Sequence, residues 1–187
     1  MDHPAPLPFD EIATDTWLSP PDVLELVDLF WAGGIDLDPF WDPACLVKSR
    51  AHYDIRKGQD AYRKRWGESG DRIWVQGPYS GSNPAKTAAR AARYGNAGRH
   101  ILNLCPAAPG SAYWSASVWP WVDAVAWCGR MSFVAGRDIL DDAGNVKHKA
   151  GEVVDGNRTE IALNYQGPHA RAFDRIFSRA YPVTLNR

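Results

Sequence analysis

The segment Gln76-Gly77-Pro78-Tyr79 directly follows the apolar residues 73–75 and places an amide, a turn and an aromatic ring at the end of a predicted strand. Asp36 and Asp38 lie at the end of another short predicted strand, which Pro39 closes. The carboxyl ends of strands are where an α/β sheet places ligand-contacting groups. We therefore expect both segments to face a nucleotide-like ligand at one edge of a sheet.

The elements that must position these residues alternate between strands and helices. A helix is predicted to start at Ser19-Pro20-Pro21, with Ser19 as its cap, and to end at Gly33-Gly34. A second is predicted from about Pro84 to Tyr94, with Asn83 as its cap. Strands are predicted at 35–39, 73–75, 101–105, 124–127, 131–134 and 159–165, a C-terminal helix around 170–179, and loops at 43–70 and 137–157. This alternation indicates an α/β fold.

Length and composition favour one soluble domain. The 187 residues are 45% hydrophobic and 23% charged, and no apolar run reaches the roughly 18 residues that a membrane span needs. We expect a tail at residues 1–13 and a domain at 14–187. The acidic, proline-rich beginning is not typical of a signal peptide, which predicts a cytoplasmic protein.

Several kinds of site are disfavoured by the sequence. The three cysteines and five histidines are scattered, with no pair at metal-ligand spacing, so we expect reduced thiols and no metal. Neither a P-loop nor a G-x-G-x-x-G dinucleotide motif occurs. Two or three of the nine tryptophans are expected at a binding site and the others in the core.

Charge is unevenly distributed although the net charge is -1. Acidic residues dominate residues 1–42, whereas twelve Lys and Arg residues between Lys48 and Arg99 make the middle of the chain basic. Lys86, Arg90 and Arg93 fall on one side of the second predicted helix. The basic middle is interpreted either as a docking surface for a polyanion or as the solvated faces of ordinary helices.

A set of short motifs, taken in order and spacing, resembles the phage-type DNA N6-adenine methyltransferase (Dam-like) family. The motifs are Asp15-x-Trp17-x-Ser19-Pro20, Asp36-Leu37-Asp38-Pro39, Tyr53, Trp66, Gln76-Gly77-Pro78-Tyr79 and Gly129-Arg130-x-x-Phe133. The resemblance covers about residues 14 to 178. It implies a shortened, Rossmann-like S-adenosylmethionine-dependent methyltransferase sheet, with S-adenosylmethionine as cofactor and DNA as partner.

The same resemblance implies roles for individual residues. It places residues 76–79 at the catalytic motif, where the family usually has Asn or Asp followed by Pro-Pro-Tyr; here Gln76 replaces the first residue and Gly77 the first proline. The implied cofactor-binding residues are Trp17, Ser19, Pro20, Asp36, Asp38 and Pro39. The candidate DNA-binding residues are Lys86, Arg90, Arg93 and Arg130.

The chemistry implied for this motif is methyl transfer to an exocyclic base amine. Such an amine is a poor nucleophile, so the site must accept its hydrogen bonds and align it with the methyl group, while Tyr79 stacks on the extruded base. Like asparagine, Gln76 has a side-chain amide oxygen that can accept a hydrogen bond, but one more methylene group separates this amide from the backbone. Three interpretations stay open: an active enzyme with compensated geometry, a pocket for another or already modified base, and a protein that binds without methyl transfer.

Each of these candidate sites also has a purely structural interpretation. Residues 76–79 are also compatible with a plain turn after a strand. Asp36 and Asp38 are compatible with local capping at a strand end, and Gly129-Arg130 with an exposed turn.

Overall fold

The computed structural model describes residues 17–141, 143–155 and 159–186. Its centre is a mixed seven-stranded sheet with helices on both faces, which confirms an α/β fold. Across the sheet the strands are β3 (Ser49–His52), β2 (Ile35–Asp38), β4 (Arg72–Val75), β5 (His100–Pro106), β11 (Ile161–Gln166), β6 (Ala124–Gly129) and β12 (Val183–Leu185). The predicted tail at 1–13 and Asp15 lie outside the described residues.

The ends of the strands form two opposite margins of the sheet, which differ in strand direction. Strands β3, β2, β4 and β5 are parallel, β11 is antiparallel to both β5 and β6, and β12 is antiparallel to β6. Strands β2, β4, β5 and β6 therefore all end at the same edge, which we term the carboxyl edge. The opposite side is the amino edge.

The order of the strands contains a topological switch point. From β2 the chain passes to β3 on one side, and it then returns to form β4 on the other side of β2. The connection that leaves β2 runs to β3, whereas the one that leaves β4 runs the other way to β5, which opens a crevice at the carboxyl ends of β2 and β4. In open α/β sheets, ligands bind in such a crevice.

Four helices in the described part of the chain cover the two faces of the sheet. Helices α1 (Pro21–Phe30) and α4 (Ala170–Phe177) bury Val23, Val27 and Phe173 against Trp74 and other residues of the central strands. On the other face α2 (Asn83–Asn96) packs on β4 and β5, and α3 (Ala112–Ser117) packs beside α2. The apolar sides of the helices thus close two cores around one sheet.

Two smaller sheets accompany the large one. Strands β1 (Trp17–Leu18) and β10 (Val153–Val154) pair with the two sides of β7 (Phe133–Ala135), and β8 (Ile139–Leu140) pairs with β9 (Val146–His148). Because β7 follows the carboxyl end of β6, the three-stranded sheet adjoins the carboxyl edge.

The predicted helices and central strands are confirmed within a few residues, but several details are wrong. Segment 43–70, predicted as loop with short helical pieces, contains β3, and segment 137–157 contains β8, β9 and β10. Helix α3 and strands β1 and β12 were not predicted. Pro20 precedes α1 and no side chain caps that helix, while Ser82 rather than Asn83 precedes α2.

No helix in the described part of the chain combines the length and the apolar character needed to cross a membrane.

Candidate functional site

The side chain of Gln76 connects the end of β4 to the beginning of the described chain. Ser19 Oγ donates to Gln76 Oε1 at 2.5 Å, and Gln76 Nε2 donates to the carbonyl oxygen of Trp17 at 2.7 Å. Ser19 is therefore bound to Gln76 and does not cap α1, contrary to the prediction. The half-buried amide fixes β1 and the start of α1 against the carboxyl end of β4.

Tyr79 packs beside the same edge. Its hydroxyl donates to the carbonyl oxygen of Leu104 in β5 at 3.2 Å, and its ring meets Phe133 of β7 edge to face, with centroids 6.0 Å apart. Burial raises the pKa of the phenol well above its ordinary value, so the hydroxyl stays protonated at neutral pH. Tyr79 and the neighbouring Pro78 are both half-buried.

At Gly77 the backbone passes close to α2. A Cβ atom at residue 77 would lie 2.5 Å from Thr87 Oγ1, 3.1 Å from Thr87 Cγ2 and 3.4 Å from Phe40 Cζ. The Thr87 hydroxyl also shares a 2.9 Å hydrogen bond with the Tyr62 hydroxyl, which restrains its movement. Glycine at 77 is therefore a packing requirement of this chain, since alanine or proline would collide with Thr87.

Asp38 is a buried carboxylate at the end of β2. Only 3% of the residue is exposed, and Oδ1 accepts a hydrogen bond from the backbone N–H of Phe40 at 2.9 Å. Burial raises the pKa of the carboxyl to about 7, although the Phe40 hydrogen bond lowers it in part. No cationic side chain among the described residues forms an ion pair with Asp38.

Asp36 has a different environment from Asp38. Its carboxylate binds the Arg72 guanidinium and backbone N–H, both with Oδ2 at 2.9 Å, and pairs with Arg50 at 2.9 Å. Hydrogen bonding to Arg72 lowers the pKa of Asp36 despite partial desolvation. Asp36 thus joins β2 to both neighbouring strands. Its carboxylate is occupied by these contacts and has a structural role.

The other predicted cofactor-binding residues lie near the switch point. Trp17 is half-buried in β1, Ser19 and Pro20 are buried before α1, and Pro39 is buried directly after β2. Phe40, which follows Pro39, lies with Thr87 around Gly77. The structure therefore brings the Trp17–Pro20, Asp38–Pro39 and Gln76–Tyr79 segments to one edge of the sheet.

The four predicted DNA-binding residues are not gathered in one place. Lys86, Arg90 and Arg93 do share one side of α2, but Arg93 lies about 15 Å along the helix from Asn83. The Arg90 guanidinium donates to the carbonyl oxygen of Lys64 and lies 5.4 Å from the Trp66 ring centroid. Arg90 therefore attaches the preceding loop to α2, whereas Lys86 and Arg93 are exposed.

Arg130 is also exposed, and it follows Gly129 at the end of β6. That position lies at the carboxyl edge, as does Gln76. Arg130 thus follows β6, whereas Lys86, Arg90 and Arg93 belong to α2.

A cleft of about 380 Å³ opens at the amino edge, away from these residues. His100 at the start of β5, Gln166 at the end of β11 and Asp123 before β6 contribute to its lining. The described residues contain no group of His, Cys, Asp and Glu side chains suited to hold a metal ion.

Comparison of the chain with protein-family models, curated proteins and solved structures returned no match.

Sequence reasoning missed the partners that define the candidate site. Thr87 determines which residue fits at 77, and the carbonyl oxygens of Trp17 and Leu104 hold Gln76 and Tyr79. A glycine between a strand and a proline turn was the available signal for a close backbone approach. Nothing in the sequence pointed to Thr87 as the residue approached.

We predict that Gly77→Ala destabilises the protein through Thr87. Gly77→Ala alone should lower the free energy of unfolding by about 1–3 kcal/mol, whereas in a Thr87→Ala background the same change should cost at least about 1 kcal/mol less. Denaturant unfolding of the four proteins measures the coupling. Gly110→Ala, with no atom within 4 Å of the added Cβ, is the control. Equal costs in both backgrounds would contradict the packing explanation.

A second prediction concerns Asp38 and pH. Because the pKa is about 7 in the folded chain and near 3.8 when unfolded, the folded state binds more protons between these values. The free energy of unfolding should therefore fall as pH rises from about 4 to 7, by up to about 4 kcal/mol. Asp38→Asn should remove this decrease and be the more stable protein above pH 7.

Thermal unfolding across this pH range tests the assignment, with Asp42→Asn as the matched change in the following loop. If the stability of wild type and of Asp38→Asn changes with pH in the same way, the pKa of Asp38 is not raised and the prediction is wrong.

Proposed function

We propose that this chain is an S-adenosylmethionine-dependent DNA methyltransferase acting on an exocyclic base amine, with adenine N6 as the preferred target. The observation that carries the proposal is the convergence of remote segments at the switch point. Trp17 and Ser19 bind Gln76, Phe133 contacts Tyr79, and Asp38 ends the adjoining strand. If the chain derives from a phage, it would act in the cytoplasm of a bacterial host.

The buried carboxylate of Asp38 favours the binding of a cationic ligand. A buried carboxylate without a cationic partner is costly, and a positively charged ligand would favour its ionised form. S-adenosylmethionine carries a sulfonium and an amino group, so its charge suits this environment. Asp38 and the Trp17–Pro20 segment would hold this cofactor, which supplies an electrophilic methyl group when bound.

The remaining hydrogen-bonding capacity of Gln76 suits a base amine. A glutamine amide has two acceptor sites and two N–H donors, and Ser19 and Trp17 use one of each. The second acceptor site on Oε1 would bind an amine N–H and orient its nitrogen. Ser19 and Trp17 keep the amide in one orientation, which reduces the ordering needed when substrate binds.

Tyr79 would provide the flat surface for the extruded base. Its hydrogen bond to Leu104 and its contact with Phe133 hold the ring in place before a base arrives. Stacking of a base on an aromatic ring contributes about 1–3 kcal/mol.

The attachment of Gln76 to its own chain also favours a second candidate function. An amide already bound by Ser19 and Trp17 could serve only to hold β1 against the sheet. The chain would then be a relative of these enzymes with altered or lost catalysis, which modifies a different or already modified base, or binds DNA or cofactor without methyl transfer.

The proposal is tested by incubating DNA with the protein and methyl-labelled cofactor and identifying labelled nucleosides by mass spectrometry. We predict N6-methyladenine. Gln76→Ala should lower the rate about 100-fold through loss of amine alignment. Asn96→Ala, an exposed amide at the amino edge, should leave the rate unchanged.

Label on another nucleoside would identify an altered target base. No label on any DNA, together with retained affinity for cofactor or DNA, would support the non-catalytic alternative. Tyr79→Phe keeps the ring and should stay active, whereas Tyr79→Ala should not.

A further inference from the structure

A row of stacked side chains lies on the surface at the β3 side of the sheet. The rings of Trp41 and His52 are 4.1 Å apart and inclined by only 20°, and the Arg56 guanidinium lies 5.8 Å from the Trp41 ring centroid. None of the three belongs to a buried core cluster of the described chain. We term these three side chains the Trp41 row.

Arg56 is held in this row by a buried carboxylate. Its Nε donates to Asp54 Oδ1 at 2.9 Å and its Nη2 to Asp54 Oδ2 at 2.8 Å, while Asp54 is 2% exposed. This two-point contact fixes the plane of the guanidinium. His52 is exposed, so another aromatic ring can stack on this row without displacing core side chains.

The Trp41 row adjoins the candidate site. His52 ends β3 and is aligned with Asp38 across the β2–β3 pair. Trp41 follows β2 by three residues. The row therefore lies at the carboxyl edge, directly beside the switch point, whereas Lys86 and its neighbours extend along α2.

The surrounding chain carries excess positive charge. Between Lys48 and Arg65 there are seven Lys or Arg residues and two Asp residues. Several of these cations form ion pairs, but the side chains of Arg50, Lys57, Arg63 and Arg65 are 67% to 77% exposed. The Arg63–Asp60 and Arg65–Glu68 pairs are exposed on both sides and therefore weak, so a phosphate can replace their carboxylate partner at little cost.

We infer that the Trp41 row is a stacking surface for an unpaired base of a nucleic-acid strand, with the cations of residues 48–65 contacting its phosphates. An open surface that combines aromatic rings with cations suits a strand, whereas a small ligand is normally buried in a concave pocket. The inference rests on the proposed function for DNA as partner and adds the surface along which the strand lies.

The test measures binding of a labelled oligothymidylate and of an abasic strand of equal length by fluorescence anisotropy. Wild type should bind the base-bearing strand more tightly. Trp41→Ala and His52→Ala should each weaken that binding about five-fold or more and change abasic binding little. His52→Phe should keep this binding near the wild-type level, and Trp121→Ala, which removes an exposed tryptophan outside the row, should have no effect.

Phosphate contacts are tested separately by salt dependence. Lys57→Gln should weaken binding of both strands and reduce the salt slope by about 0.7, whereas the Trp41 and His52 variants should keep the slope. Melting temperatures of all variants report on folding.

Wild-type affinity in both ring variants would overturn the inference, as would equal binding of the two strands by wild type or equally tight binding of free thymidine monophosphate. If these variants bind normally while DNA is still methylated, only the inference fails. Wild type that neither binds nor methylates DNA would overturn the proposed function as well.

Discussion

The hydrogen bonds of the Gln76 amide hold together parts of the chain that are remote in sequence. Ser19 and Trp17 bind this amide from 57 and 59 residues away. Because β1 pairs with β7, the same contact also attaches the small three-stranded sheet to the large one. A half-buried amide that loses its partners destabilises the fold, so the position of β1 and of the start of α1 at the carboxyl edge depends on this residue.

Gln76 and Gly77 each have a structural explanation in this chain. At Gly77 the backbone approaches Thr87 too closely for any Cβ atom, while the longer Gln76 side chain reaches Ser19 and Trp17. The residues at 76 and 77 therefore satisfy different neighbours, and exchanging either one alone would disturb a contact. Asp38 adds a buried carboxylate beside them, which suits a positively charged ligand.

Sequence patterns predicted the central strands because those are apolar runs bounded by glycine and proline, as at 73–75 and 101–105. They missed β3 because Ser49–His52 is a mostly exposed edge strand without apolar alternation. They placed residues 76–79 and Asp38 at strand ends correctly. The roles of Ser19 and Thr87 could not be predicted, because their contacts depend on packing between elements distant in the chain.

We infer that ligand binds at the carboxyl ends of β2 and β4. Hydrogen exchange with and without S-adenosylhomocysteine tests it most directly, since bound ligand slows exchange of the amides that it orders. We expect slower exchange at residues 38–41 and 74–79, with no change at 95–100 and 166–168. Protection confined to the amino-edge cleft, or no protection at saturating ligand, would contradict it.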